Sequence, residues 1–135
     1  MNFSEAELTA AITGTAKAAL ASKSKDIRKG RVDVEQAWAD LGGFGRYQLI
    51  EPIGSEILPF LLALPDIERV VGERPGYTGA QIRETVEALT DDEGGKLRRK
   101  ALVLARVALV TTALAHVPPW PDPDKLNVPD SLGDL

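Results

Sequence analysis

The chain has 135 residues, of which 44% are hydrophobic, so it is long enough for one packed domain and too short for two. The absence of cysteine excludes disulfides, thiolate metal sites and a cysteine nucleophile, and the single histidine argues against His-based metal sites and acid–base catalysis. The net charge of -4 argues against a general nucleic-acid coat protein.

The N-terminal third predicts two helices separated by a basic segment. Ser4 and Glu7 form a capping-box pattern, and apolar residues at helical spacing follow as far as Leu20. The basic, polar stretch of residues 17–31 favours a loop or a frayed helix end. A short helix capped by Asp33 should come next, and the glycines at positions 42, 43 and 45 are predicted to end it at a flexible corner.

Prolines and caps divide the middle of the chain into short predicted helices. Ser55 is expected to cap a helix over residues 57–64. Pro65 should then begin a helical turn that ends at Gly72. Thr78 with Gln81 forms a second capping box before another amphipathic helix.

The last predicted helix is long and apolar. Acidic residues 91–93 suit its N-terminus, and apolar residues occupy nearly every face from Leu97 to Val117. Such a helix belongs in the middle of a bundle. It is longer than a compact domain of this size needs, so we expect part of it to be buried by another chain.

Five prolines lie in residues 118–135, PPWPDPDKLNVPDSLGDL, and favour an extended tail over a helix. No sustained alternation predicts a sheet. The predicted fold is therefore all-α: one bundle of about five helices over residues 1–117, with a long apolar C-terminal helix, followed by an extended proline-rich tail over residues 118–135.

No group of residues in the sequence predicts catalysis. The glycine-rich segment lacks the preceding strand and the Lys-Ser/Thr pair of a phosphate loop, and the acidic residues lack calcium-loop spacing. His116 is expected to cap the end of a helix. We therefore predict a protein that is not an enzyme and uses no metal or cofactor.

Residues 101–117 are too short for a membrane span and contain Arg106, so no membrane association is expected.

Two segments are candidate partner-binding sites. The first is the tail, where Trp120 between two prolines is the expected anchor, with Leu126, Val128 and Leu132 filling further pockets. Whether this tail docks on its own bundle or on a partner stays open. The second is the basic stretch, which contacts phosphate or an acidic surface, or is simply a solvated face. Its candidate residues are Lys23, Lys25, Arg28, Lys29 and Arg31.

The layout resembles the all-helical head–tail connector (adaptor) proteins of tailed phages of high-GC bacteria. The matching features are the helix capped at Ser4, the apolar segment ALVLARVALVTTALAHV and the tail VPPWPDPDKLNVPDSL. The resemblance concerns architecture and carries no motif. It implies a homo-oligomeric ring that contacts neighbouring virion proteins, located in the virion or the host cytoplasm.

A different class of function remains open. The alternative is a small regulatory DNA- or protein-binding domain that uses the basic stretch. A phage-encoded inhibitor of a host protein belongs to the same class. Residues 55–89 could be interpreted as a helix-turn-helix, but the second helix carries Glu84 and Glu87 and lacks a base-reading set. Nucleic-acid binding is therefore possible but not favoured.

Overall fold

The computed structural model describes residues 3–122, which form six α-helices and no strand. The predicted all-α class is confirmed. The helices are α1 (Glu5–Lys23), α2 (Lys25–Arg28), α3 (Val34–Asp40), α4 (Gly42–Ala63), α5 (Gly79–Leu89) and α6 (Lys96–Ala115). The predicted contacts of Leu126, Val128 and Leu132 lie outside the described residues.

The local capping signals are confirmed. At the start of α1 the Ser4 hydroxyl accepts a hydrogen bond from Glu7 N at 3.1 Å, and the Glu7 carboxylate accepts one from Ser4 N at 3.1 Å. Thr78 and Gln81 make the same reciprocal pair at the start of α5. Because each cap satisfies helix-end donors from residues three apart, it can be predicted from sequence alone.

The predicted end of α3 before the glycines is confirmed, since α3 ends at Asp40 and a separate helix begins at Gly42, which has a φ of 72°. The extent of that next helix was predicted wrongly, because α4 begins at the glycines and continues through Pro52 and Pro59. Ser55 is a mid-helix residue and caps nothing. The cost of glycine and proline in a helix is offset here by tertiary packing, since Ile57 and Phe60 on α4 are buried in the core.

The segment between α4 and α5 is extended rather than helical. Pro65 does not begin the predicted helical turn, because residues 65–70 have no helical structure. Val71 instead forms an isolated parallel bridge with Trp120. A helix-turn-helix joins its helices by about three or four residues, whereas residues 64–78 separate α4 from α5. The geometry therefore does not match that motif.

The core lies between α1, α4, α5 and α6. Its fully buried large side chains are Ile57, Leu61, Val86, Val110 and Val117. Helix α1 packs on both α4 and α6, while α5 packs mainly on α6. Val117, at the predicted end of the bundle, is 1% exposed, so the chain is still part of the core where the tail begins.

Helix α6 lies on the outside of the bundle rather than in its middle. It begins at Lys96, after a Gly95 N-cap that makes no side-chain hydrogen bond, so the acidic residues 91–93 precede the helix instead of occupying its first turn. Only one face is buried, through Val103, Val110, Ala113 and Leu114. The opposite face of this largely apolar helix is exposed in the single chain.

Candidate interaction surfaces

Trp120 is held by its own chain. Its backbone N donates to Glu73 O at 2.9 Å, and its carbonyl accepts from Gly72 N at 2.9 Å. The Arg69 guanidinium carbon lies 4.3 Å from the centre of the indole ring, which is cation–π geometry. Of the two docking modes left open by the sequence, the described part of the tail adopts the one on its own bundle.

Arg69 connects Trp120 to the start of the chain. Its Nη2 lies 2.8 Å from a carboxylate oxygen of Glu7, and the two side chains are only 8% and 7% exposed. Glu7 also closes the α1 capping box. The cluster of Glu7, Arg69 and Trp120 therefore ties three distant segments together, which is a structural role.

This cluster of Glu7, Arg69 and Trp120 was not predicted from the sequence. Glu7 and Arg69 are 62 positions apart, and Arg69 lies in a segment predicted to be helical. A buried salt bridge between distant segments has no local sequence pattern, so we find no signal that could have revealed it.

The basic stretch forms no assembled site. Lys23 ends α1, while Lys25 and Arg28 belong to the short helix α2. All five predicted cations of the stretch are exposed, and Arg31 pairs with Asp26 at 3.4 Å. The five candidate cations thus have the geometry of a solvated surface, and none of them lines a described cavity, whereas Lys17 at the start of the stretch does and pairs with Glu35 at 2.9 Å.

The exposed side of α6 carries mostly apolar residues along its length. We call it the α6 outer face and define it by Leu97, Ala101, Leu104, Ala108, Thr111 and Ala115, all of which are exposed. Leu97 is 85% exposed and Leu104 is 58% exposed. These residues recur at intervals of four and three, so they form one stripe along the helix, opposite its buried face.

Basic residues flank the N-terminal end of this stripe. Lys96, Arg98 and Lys100 are exposed, and no acidic residue lies in the first turn of α6. Lys96 and Lys100 also line an open cavity of about 590 Å³ between α5 and α6, together with Arg83. Acidic residues from positions 87, 91 and 92 line the same cavity, so its charge is mixed.

Two aromatic residues of α4 are also exposed. Phe44 is 73% exposed and Tyr47 is 56% exposed, and their spacing of three places them on one side of the helix. The flexible corner predicted at the glycines did not place these two residues on a helix. A helical periodicity starting at Gly42 would have separated this outward side from the buried one.

His116 occupies the position predicted for it. It is the C-cap residue of α6, and its Nδ1 lies 2.9 Å from Thr112 O. Within residues 3–122 no cluster of His, Asp or Glu is arranged to hold a metal ion. None of the helices in the same range is both long and apolar enough to cross a bilayer.

No protein-family model, curated protein or solved structure matches this chain.

Proposed function

We propose that the protein is a non-enzymatic assembly subunit that packs against another protein chain through the α6 outer face. The observation that supports this most directly is the exposure of Leu97 and Leu104 on a stripe whose members, apart from Thr111, are apolar. Burying a leucine side chain is worth about 1.5–3 kcal/mol, so a protein partner that covers this stripe gains stability. Exposed apolar surfaces of this kind mark interaction sites.

The kind of assembly follows from the resemblance noted above. A phage head–tail connector subunit is the assembly protein that the overall layout favours, with neighbouring virion proteins as further partners. In this proposal the α6 outer face is the main contact. Trp120 stabilises the subunit itself, since its ring and backbone are engaged by Arg69 and residues 72–73.

The test is the mass and content of the assembly purified with the tagged full chain from its native setting. We expect a large protein complex free of nucleic acid, whose subunit ratio gives its composition. Leu104→Glu should remove the chain from that complex, because it places a charge in the middle of the face. Leu62→Glu is the matched control, since Leu62 is an exposed leucine (48%) on α4.

Two outcomes would contradict the proposal. Equal incorporation of both variants would mean that the α6 outer face is not the contact. A small complex that carries nucleic acid and dissociates steeply with salt would favour the regulatory alternative, because each phosphate contact releases counterions.

A further inference from the structure

We propose that the partner of the α6 outer face is the same face of a second copy, packed antiparallel about a two-fold axis. This inference rests on the proposed function and names the partner for the same surface. It follows from three properties of α6: the spacing of the exposed residues, their sizes and the distribution of charge along the helix.

The spacing suits another helix. The outer face runs from Leu97 to Ala115 at alternating intervals of four and three residues. A seven-residue repeat of this kind keeps an apolar stripe facing a second helix along its length.

The residue sizes are self-complementary when the helices run antiparallel. With the two-fold axis midway between Leu104 and Ala108, each of these residues lies opposite the other in the partner. In the same register Leu97 lies opposite Ala115. Every leucine of the face thus meets an alanine and Ala101 meets Thr111, so small side chains let the two helices approach closely.

Charge selects the antiparallel arrangement over the parallel one. Lys96, Arg98 and Lys100 lie at the N-terminal end of α6, where the helix dipole is already positive. A parallel pair would bring two such groups together. An antiparallel pair places each group beside the partner's C-terminal end, which is the negative pole of the dipole and has no basic residue in its last turn.

Cysteine cross-linking tests the register directly, because the natural chain has no cysteine. We would mix full-length chains carrying Leu104→Cys and Ala108→Cys under mild oxidation. The antiparallel register places these positions opposite each other, so we expect a disulfide between the two different variants. Leu97→Cys alone is the control, because antiparallel packing separates its two copies by about 27 Å along the helix at 1.5 Å per residue.

Efficient cross-linking of Leu97→Cys to itself would overturn the antiparallel arrangement and indicate a parallel pair. Absence of the mixed 104–108 disulfide would overturn the proposed register.

Sedimentation of the cysteine-free chain measures the association itself. We expect a dimer whose dissociation constant rises about 100-fold or more in Leu104→Glu, because two leucine contacts are lost per dimer, and stays unchanged in Leu62→Glu. Circular dichroism should show unchanged helicity in both variants. A wild-type chain that stays monomeric while Leu104→Glu is lost from the native complex would overturn this inference and leave the proposed function standing. If Leu104→Glu changes neither the dissociation constant of the dimer nor incorporation into the native complex, both this inference and the proposed function are wrong.

Discussion

Gly14 on α1 lies against His116 at the end of α6, and replacing it by alanine tests that contact. A Cβ at this position would lie 2.2 Å from Cγ and 2.5 Å from Cβ of His116. Carbon atoms in contact are ordinarily about 3.5–4.0 Å apart. Since the Cβ of His116 is fixed to its own backbone, rotation of the ring cannot relieve the overlap, and α1 or α6 must move.

Two opposing effects set the change in the free energy of unfolding that Gly14→Ala causes. Alanine is favoured over glycine inside a helix by about 1 kcal/mol. Overpacking a close contact typically costs about 1–3 kcal/mol, and an overlap of more than about 1 Å belongs at the upper end of that range. We therefore expect Gly14→Ala to lower the free energy of unfolding by about 1–2 kcal/mol and the Tm by about 3–8 °C.

Gly54→Ala is the matched control, because Gly54 also lies inside a long helix. A Cβ there would lie 3.6 Å and 3.7 Å from two carbons of Ile12, which is ordinary van der Waals contact. The free energy of unfolding of this variant should rise by about 0.5–1 kcal/mol. Thermal and urea unfolding followed by circular dichroism measure both changes. A Gly14→Ala protein as stable as the wild type, or shifted in the same direction as Gly54→Ala, would refute the close contact between α1 and α6.

Three further predictions concern the cluster around Arg69. Arg69→Ala should cost about 3–5 kcal/mol in urea unfolding, because it leaves the Glu7 carboxylate buried without its partner. Trp120→Ala should cost about 2 kcal/mol, less than for a fully buried tryptophan, because its ring is partly exposed. Burial raises the pKa of Tyr77, whose hydroxyl donates to Pro65 O at 2.6 Å. Stability should therefore fall as the pH rises above 10.0, where the unfolded tyrosine loses its proton before the folded one, and Tyr77→Phe should remove this part of the pH dependence.

Each of these predictions has a distinct contradictory result. The Glu7→Gln/Arg69→Met double variant should lose less stability than the sum of the two single changes, and strict additivity would argue against the ion pair. If the Trp120→Ala protein keeps wild-type stability but no longer binds its protein partner, the tail is part of the interface with that partner. A Tyr77→Phe protein with an unchanged stability profile above pH 10.0 would mean that folding does not raise the pKa of Tyr77.

The parts of the fold predicted correctly depend on neighbours in sequence. The caps at Ser4, Asp33 and Thr78 join residues two or three positions apart, so the residue types alone identify them. The continuity of α4 through Pro52 was not predictable in this way, because buried residues from other helices offset its local cost. The contact of Trp120 with Arg69 was not predicted either, since only the tertiary fold brings these two residues together.

The apolar character of α6 wrongly predicted a helix in the middle of the bundle. It also predicted that another chain buries part of this helix. A helix that is apolar on all faces can be buried entirely within its own chain, or on one side by its own chain and on the other by a second chain. The exposed outer face favours the second case, as does the mismatch between Lys96 or Arg98 and the helix dipole.

A two-fold α6 contact also constrains any larger assembly. An isologous contact joins the same patch on both copies and therefore closes at two chains. A ring would need a second, different contact, and every copy would use its single α6 outer face once. A ring that contains the α6 pair must then hold an even number of copies. Native mass spectrometry of the purified assembly would count them, and an odd number would show that at least one α6 outer face binds something other than its own copy.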